Sequence, residues 1–169
     1  MNGWEKDKRW SDRYLDEIKA ILGVHLIGEP PVEEDQERNT DLTVLRMNPV
    51  RIGVRIRRKE YLERYAGEFT IRADRPNGHK TELAKIIEGW GDYFFYGFGG
   101  DEGLLRWALC DLNVFRTWFN RQLIRMDKGK YPGVLKTNHD NSSSLLAFSF
   151  SEMPDNFIIA KEEQCIAAS

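Results

Sequence analysis

Asp41, Glu68, Lys80 and Lys85 are the residues of this 169-residue chain whose types and spacing could do chemistry. Hydrolysing a phosphodiester needs an activated water and stabilisation of the charge that develops at phosphorus. A hard divalent cation held by a few carboxylate oxygens supplies both. Asp41 and Glu68 can offer such oxygens from neighbouring strands, and Glu17 can add a third from a covering helix. A solvated boundary glutamate is the alternative reading of Glu17. Thr70 shares a face with Glu68 and could hold a water, while Lys80 or Lys85 could orient it or neutralise the transition state. The ion expected is Mg²⁺ or Mn²⁺, with Glu17, Asp41 and Glu68 as ligands. Arg55, Arg57, Arg58 and Arg72 supply a separate set of cations suited to a phosphate backbone.

The elements that must position these groups follow from periodicity. Trp10, Tyr14, Ile18, Ile21 and Leu22 recur at helical spacing and predict a helix over 10–26, with Ser11 and Asp12 as caps. Gly23, Gly28, Pro30 and Pro31 end it, and an acidic loop follows. Alternation predicts a strand over 41–47 and a cleaner one over 51–58, joined by Asn48-Pro49 as an antiparallel hairpin. In the second strand Ile52, Val54 and Ile56 oppose Arg51, Gly53, Arg55 and Arg57. A polar loop leads to a third strand over 68–72. Thr81 caps a helix to about Trp90, whose buried stripe is Leu83, Ile86, Ile87 and Trp90. The continuous apolar run 93–98 reads as a central strand, parallel to the strand before the helix. Residues 104–112 fit a strand or a short helix, a helix starts near Asn113, and 128–144 reads as a loop. Leu146, Phe148 and Phe150 alternate as a strand that 157–160 can pair with.

Composition bounds the rest. The length fits one domain over 1–169, with 41% apolar and 31% charged residues, an ordinary globular balance. Five Trp, nine Phe and six Tyr argue against disorder. No apolar run is long enough to span a bilayer, and the charged first ten residues lack the apolar core of a signal peptide. Two cysteines without ligand spacing point to a reducing cytoplasm. The net charge of −2 is unevenly spread: 29–41 holds six acids and one Arg, whereas 46–85 holds eleven basic residues against five acids. A local basic surface can therefore track a polyanion, or simply solvate strand faces.

The order helix, three strands, helix, strand, with Asp41 and Glu68 on core strands and Glu17 on the first helix, resembles the PD-(D/E)XK nuclease superfamily. The resemblance covers residues 10–98 and implies an α/β fold. Its restriction-endonuclease-like core would be a mixed central β-sheet flanked by helices, with residues 99–160 as a C-terminal α+β extension. It also implies metal-dependent hydrolysis of DNA, often by a dimer. Thr70 stands where the family has its lysine, so Lys80 or Lys85 would act from the helix. A second alignment of the motif falls on Arg55-Ile56-Arg57 and offers no carboxylate. Residues 68–72 and 81–97 also resemble segments of phage or prophage proteins. Three readings follow: a Mg²⁺-dependent deoxyribonuclease, a non-catalytic nucleic-acid-binding module of the same fold, or a phage accessory protein that binds another protein.

Overall fold

The computed structural model describes residues 3–28, 43–44, 50–74, 80–127, 130–137 and 143–163. They fall into two compact units, Met1–Pro49 with Asp101–Leu104 and Val50–Gly100 with Leu105–Ser169.

In the first unit the chain forms two helices, α1 (Gly3–Asp12) and α2 (Leu15–Leu26), where the sequence predicts one from Trp10. The break falls at Arg13 and Tyr14. Tyr14 donates its N–H to Ser11 C=O at 3.2 Å, and the Arg13 guanidinium lies 5.2 and 4.8 Å from the rings of Trp10 and Tyr14. Burying Tyr14 and Ile18 while Arg13 covers the aromatic pair favours this turn over a continuous helix. Ser11 bonds back to Lys8 C=O, so it closes α1 and does not cap a later helix. Strands β1 (Ile27–Gly28) and β2 (Thr43–Val44) pair antiparallel. The remainder of the predicted 41–47 strand, Asp41 included, lies outside the described residues. Thr43 and Val44 do not form the predicted hairpin with 51–58, because their partner is β1.

The second unit contains two sheets. The first has the order β3 (Ile52–Arg58), β5 (Tyr93–Gly99), β6 (Leu104–Asp111), β9 (Ile158–Glu163). It is mixed: β3 and β5 are parallel, β6 and β9 antiparallel. The second sheet, β4 (Glu68–Asp74), β8 (Ser144–Ser149), β7 (Val134–Thr137), is antiparallel throughout. A 3₁₀ turn (Lys59–Tyr61) and α3 (Leu62–Tyr65) replace the predicted polar loop. Helices α4 (Glu82–Ile87) and α5 (Leu112–Arg125) complete the unit. The chain is thus a mixed α/β protein with a mixed sheet and flanking helices.

Two predicted pairings change partner. The parallel neighbour of β5 is β3, while β4 crosses to the other sheet, and β9 joins β6 instead of β8. The reason lies in the aromatic core. Phe69 of β4 packs against Phe148 of β8 at 5.3 Å and Phe157 at 5.1 Å, and one cluster draws Phe94, Tyr96, Phe98, Phe115 and Phe119 from β5 and α5. Each such ring contributes about 1.5–3 kcal/mol on burial. Two sheets facing one another bury more of them than a single sheet would. No helix among the described residues is long and apolar enough to cross a membrane.

Candidate nucleic-acid interface

The register of β3 against β5 decides where its arginines point. Gly53 lies beside Phe94, Arg55 beside Tyr96 and Arg57 beside Phe98. Neighbours in register share a face, and Phe94, Tyr96 and Phe98 belong to the core. The basic side of β3 therefore lies on the core-side face, where internal groups take up its charge. Arg55 Nη2 donates to Glu82 Oε2 at 2.6 Å, and the same oxygen accepts the Arg72 N–H at 3.0 Å. Arg57 stacks over Tyr61 and Tyr65, at 4.5 and 4.9 Å. Arg58 ends the strand and is exposed.

The predicted metal ligands are engaged elsewhere or lie outside the described residues. Glu68 Oε2 accepts from Lys136 Nζ of β7 at 2.5 Å, and that ammonium also covers Tyr65 at 4.5 Å. Glu17 turns both oxygens to the Leu104 N–H at 3.1 Å, beside Gly103 with φ +138°. Glu17 thus anchors the turn Asp101–Leu104 within its own unit. Asp41 lies outside the described residues. Among the described residues no group of three or more His, Cys, Asp or Glu is placed to hold a metal ion. Cys110 is fully buried, and burial pushes its thiol up to about 12, so it is no nucleophile at neutral pH.

Lys80 and Lys85 meet in one place, a concavity of about 400 Å³ that Arg51, Gly53, Glu82 and Trp90 also line. Glu68 does not line it. Thr81 caps α4 as predicted, its hydroxyl accepting the Ala84 N–H at 3.2 Å. The helix stops at Ile87, and Gly89 with φ +96° and Gly91 with φ +83° turn the chain outward. Trp90 is carried with it and is 58% exposed, not part of a buried stripe. The Arg51 guanidinium sits 5.3 Å from the centre of its ring. Asp92 fixes this approach: its carboxylate accepts the Arg51 N–H at 2.8 Å and its own N–H donates to Arg51 C=O at 2.8 Å.

The charge balance of the concavity follows from these partners. Arg55 answers Glu82, and Lys80 answers Glu88 at 2.7 Å. Lys85 has no ion-pair partner among the described residues. It and Arg51 are the cations left for a ligand, beside an exposed indole. Periodicity places Arg51 on the polar face of its strand and Trp90 in the buried stripe of its helix; the structure brings both to this concavity. They lie 39 positions apart, and only the parallel pairing of β3 with β5 joins their elements.

Scans against models of known families, curated proteins and solved structures each give no match to this chain.

Proposed function

We propose that this chain binds single-stranded nucleic acid at the concavity between the start of β3 and the end of α4. The observation that supports this reading is the exposed indole of Trp90, flanked by Arg51 and by Lys85. An aromatic platform beside cations stacks a base and holds the adjoining phosphates without reading sequence. The volume of about 400 Å³ has room for about one nucleotide of an extended strand, and a duplex has no unstacked base to offer.

Hydrolysis of DNA, the activity implied by the nuclease resemblance, is the second reading. Lys80 and Lys85 standing in one concavity favour it. It requires a restriction-endonuclease-like arrangement in which Asp41 joins the site, Glu68 leaves Lys136, and the two hold Mg²⁺ or Mn²⁺.

Titration of the protein with oligothymidylate, followed by tryptophan fluorescence, tests both. Binding should quench the signal, and its affinity should fall with salt with a log–log slope of about −1.4, as two phosphate contacts on a single strand, through Arg51 and Lys85, give. Lys85→Ala should shallow that slope by about 0.7. Salt-insensitive binding, or none, sinks the binding reading. The same mixtures with Mg²⁺, Mn²⁺ and chelator test hydrolysis. Metal-dependent cutting lost in both Asp41→Ala and Glu68→Ala would replace binding with catalysis as the function.

A further inference from the structure

We infer that the groove between one flank of α5 and the turn before β9 binds an extended acidic segment of a partner protein, through Arg121 and Arg125.

The helix divides its residues by position. Leu112, Phe115 and Phe119 are buried in the aromatic core. Trp118, Arg121, Gln122 and Arg125 follow one another at three- and four-residue spacing, so they form a row along one flank. The turn that carries Pro154 and Asn156 supplies the opposite wall. Together they line a concavity of about 490 Å³, a size suited to a ligand larger than a lone ion.

The charge of this groove has one sign. Arg121 and Arg125 are exposed, and neither has an ion-pair or hydrogen-bond partner among the described residues. No carboxylate is among the described residues that line the groove. Asp155, which follows Pro154 in the turn, pairs with neither guanidinium. Arg125 in the last turn of α5 also answers the negative end of the helix dipole. Arg121 lies a turn earlier, where that field has faded, so its charge is left for a ligand.

The remaining groups choose among anionic ligands. Gln122 and Asn156 carry amides that both donate and accept, and neither side chain bonds to another described residue. A peptide backbone offers partners of both kinds, whereas a phosphate or sulfate dianion only accepts. Trp118 is half-buried, with its ring 6.1 Å from Phe115 and edge-on to Phe148 at 6.0 Å. Packed at the margin of the core, it is no open platform for a base, unlike Trp90. The two arginines stand about 6 Å apart along the helix axis. Glutamates two residues apart in an extended chain point to one side with a spacing of about 6.6–6.8 Å. Each guanidinium can take a carboxylate in bidentate fashion, so such a chain meets both. None of the lining residues belongs to the Trp90 concavity, and the inference does not depend on nucleic-acid binding there.

Calorimetric titration of the full chain with an end-capped synthetic peptide tests the assignment. The peptide carries two glutamates separated by one serine, in a glycine-serine background. It should bind one to one with a dissociation constant below about 1 mM, and the version with glutamine in place of glutamate should bind at least about tenfold more weakly. Arg121→Gln should weaken the acidic peptide about tenfold while the urea midpoint stays in place, because the side chain is exposed. Arg125→Gln should weaken it by a similar factor. No heat up to about 5 mM peptide, or equal binding of the acidic and glutamine peptides, overturns the inference. Affinity weakened by Lys85→Ala and untouched by Arg121→Gln puts the peptide in the Trp90 concavity and overturns the groove as its site. Oligothymidylate that displaces the peptide, and is itself weakened by Arg121→Gln, makes the groove a nucleic-acid surface and overturns the protein partner.

Discussion

Glu82 and Trp90 stand at the two ends of one short helical segment, and the charge around them is organised in opposite ways. Around Glu82 the groups are closed on one another. Arg55 and the Arg72 N–H share a single carboxylate oxygen, and both partners of the ion pair are largely withdrawn from water, at 20% and 29% exposure. Around Trp90 they are open: the indole faces solvent, Arg51 lies over it, and Lys85 has no ion-pair partner among the described residues. Basic residues of similar appearance in sequence thus divide into those that hold the two sheets' connections in place and those left over for a ligand. The division follows position. A cation in mid-strand on the core side must find an internal acceptor or pay desolvation, whereas one just outside a strand end can reach water.

The closed region should respond most to substitution. Glu82→Ala removes the acceptor for Arg55 and for the Arg72 N–H together, and should cost about 2–3 kcal/mol of unfolding free energy. Urea denaturation measures it. A loss within about 0.5 kcal/mol, the range of an ordinary surface change, would show that the cluster is not closed. Next comes Glu17→Ala, which leaves the N–H of buried Leu104 without its carboxylate. About 1–2 kcal/mol is expected, at the lower end for an orphaned amide because Glu17 is partly exposed. Metal should not alter that loss if Glu17 serves only the Leu104 N–H; a Mg²⁺-dependent change in stability at Glu17 would identify it as a ligand.

These two residues also show what the sequence could and could not tell. The local choices were legible. Thr81 as a cap, the alternation of β3 and the doubly buried run of β5 each depend on nearest neighbours, and periodicity reports those directly. Partnership was not legible. Alternation says that Arg55 and Arg57 share a face; it does not say that the face is the one beside Tyr96 and Phe98. The pairing of β4 with β8 joins residues some 80 positions apart, as Glu68 with Ser149, and no local pattern encodes it. Trp90 fits helical spacing after Leu83, Ile86 and Ile87, and a helix three residues longer would have buried it. The turn at Gly89 decided otherwise. The partner of Glu68 was hidden for the same reason as those of the arginines: Lys136 comes from a segment that reads as loop.

Smaller effects sharpen the contrast. Glu68 and Lys136 form an ion pair whose side chains keep about a third of their exposure, at 36% and 33%. Glu68→Ala should therefore cost no more than about 1 kcal/mol. The loss should shrink as salt rises, because water and counterions already screen the pair. A cost that is larger and salt-independent would place Glu68 in a closed cluster like that of Glu82, and the distinction between the two regions would lose its basis.

Trp90→Ala should change stability least of all, by about 0.5 kcal/mol or less, because so much of the ring is already in water. Its value lies in the dissociation it demands. Stacking on a base is worth about 1–3 kcal/mol when an aromatic platform is truncated, so oligothymidylate affinity should fall at least about fivefold while the urea midpoint stays put. Glu82→Ala should do the reverse, lowering the midpoint strongly and, at temperatures where it remains folded, moving affinity little. Arg51 supplies a further check, since its backbone is held by Asp92 and survives loss of the side chain's stacking partner. If Trp90→Ala unfolds the protein, the indole is part of the core and the open region does not exist. If it leaves both stability and affinity intact, the concavity is open but binds nothing that stacks, and the ligand of Lys85 and Arg51 must be sought among anions without a π-face.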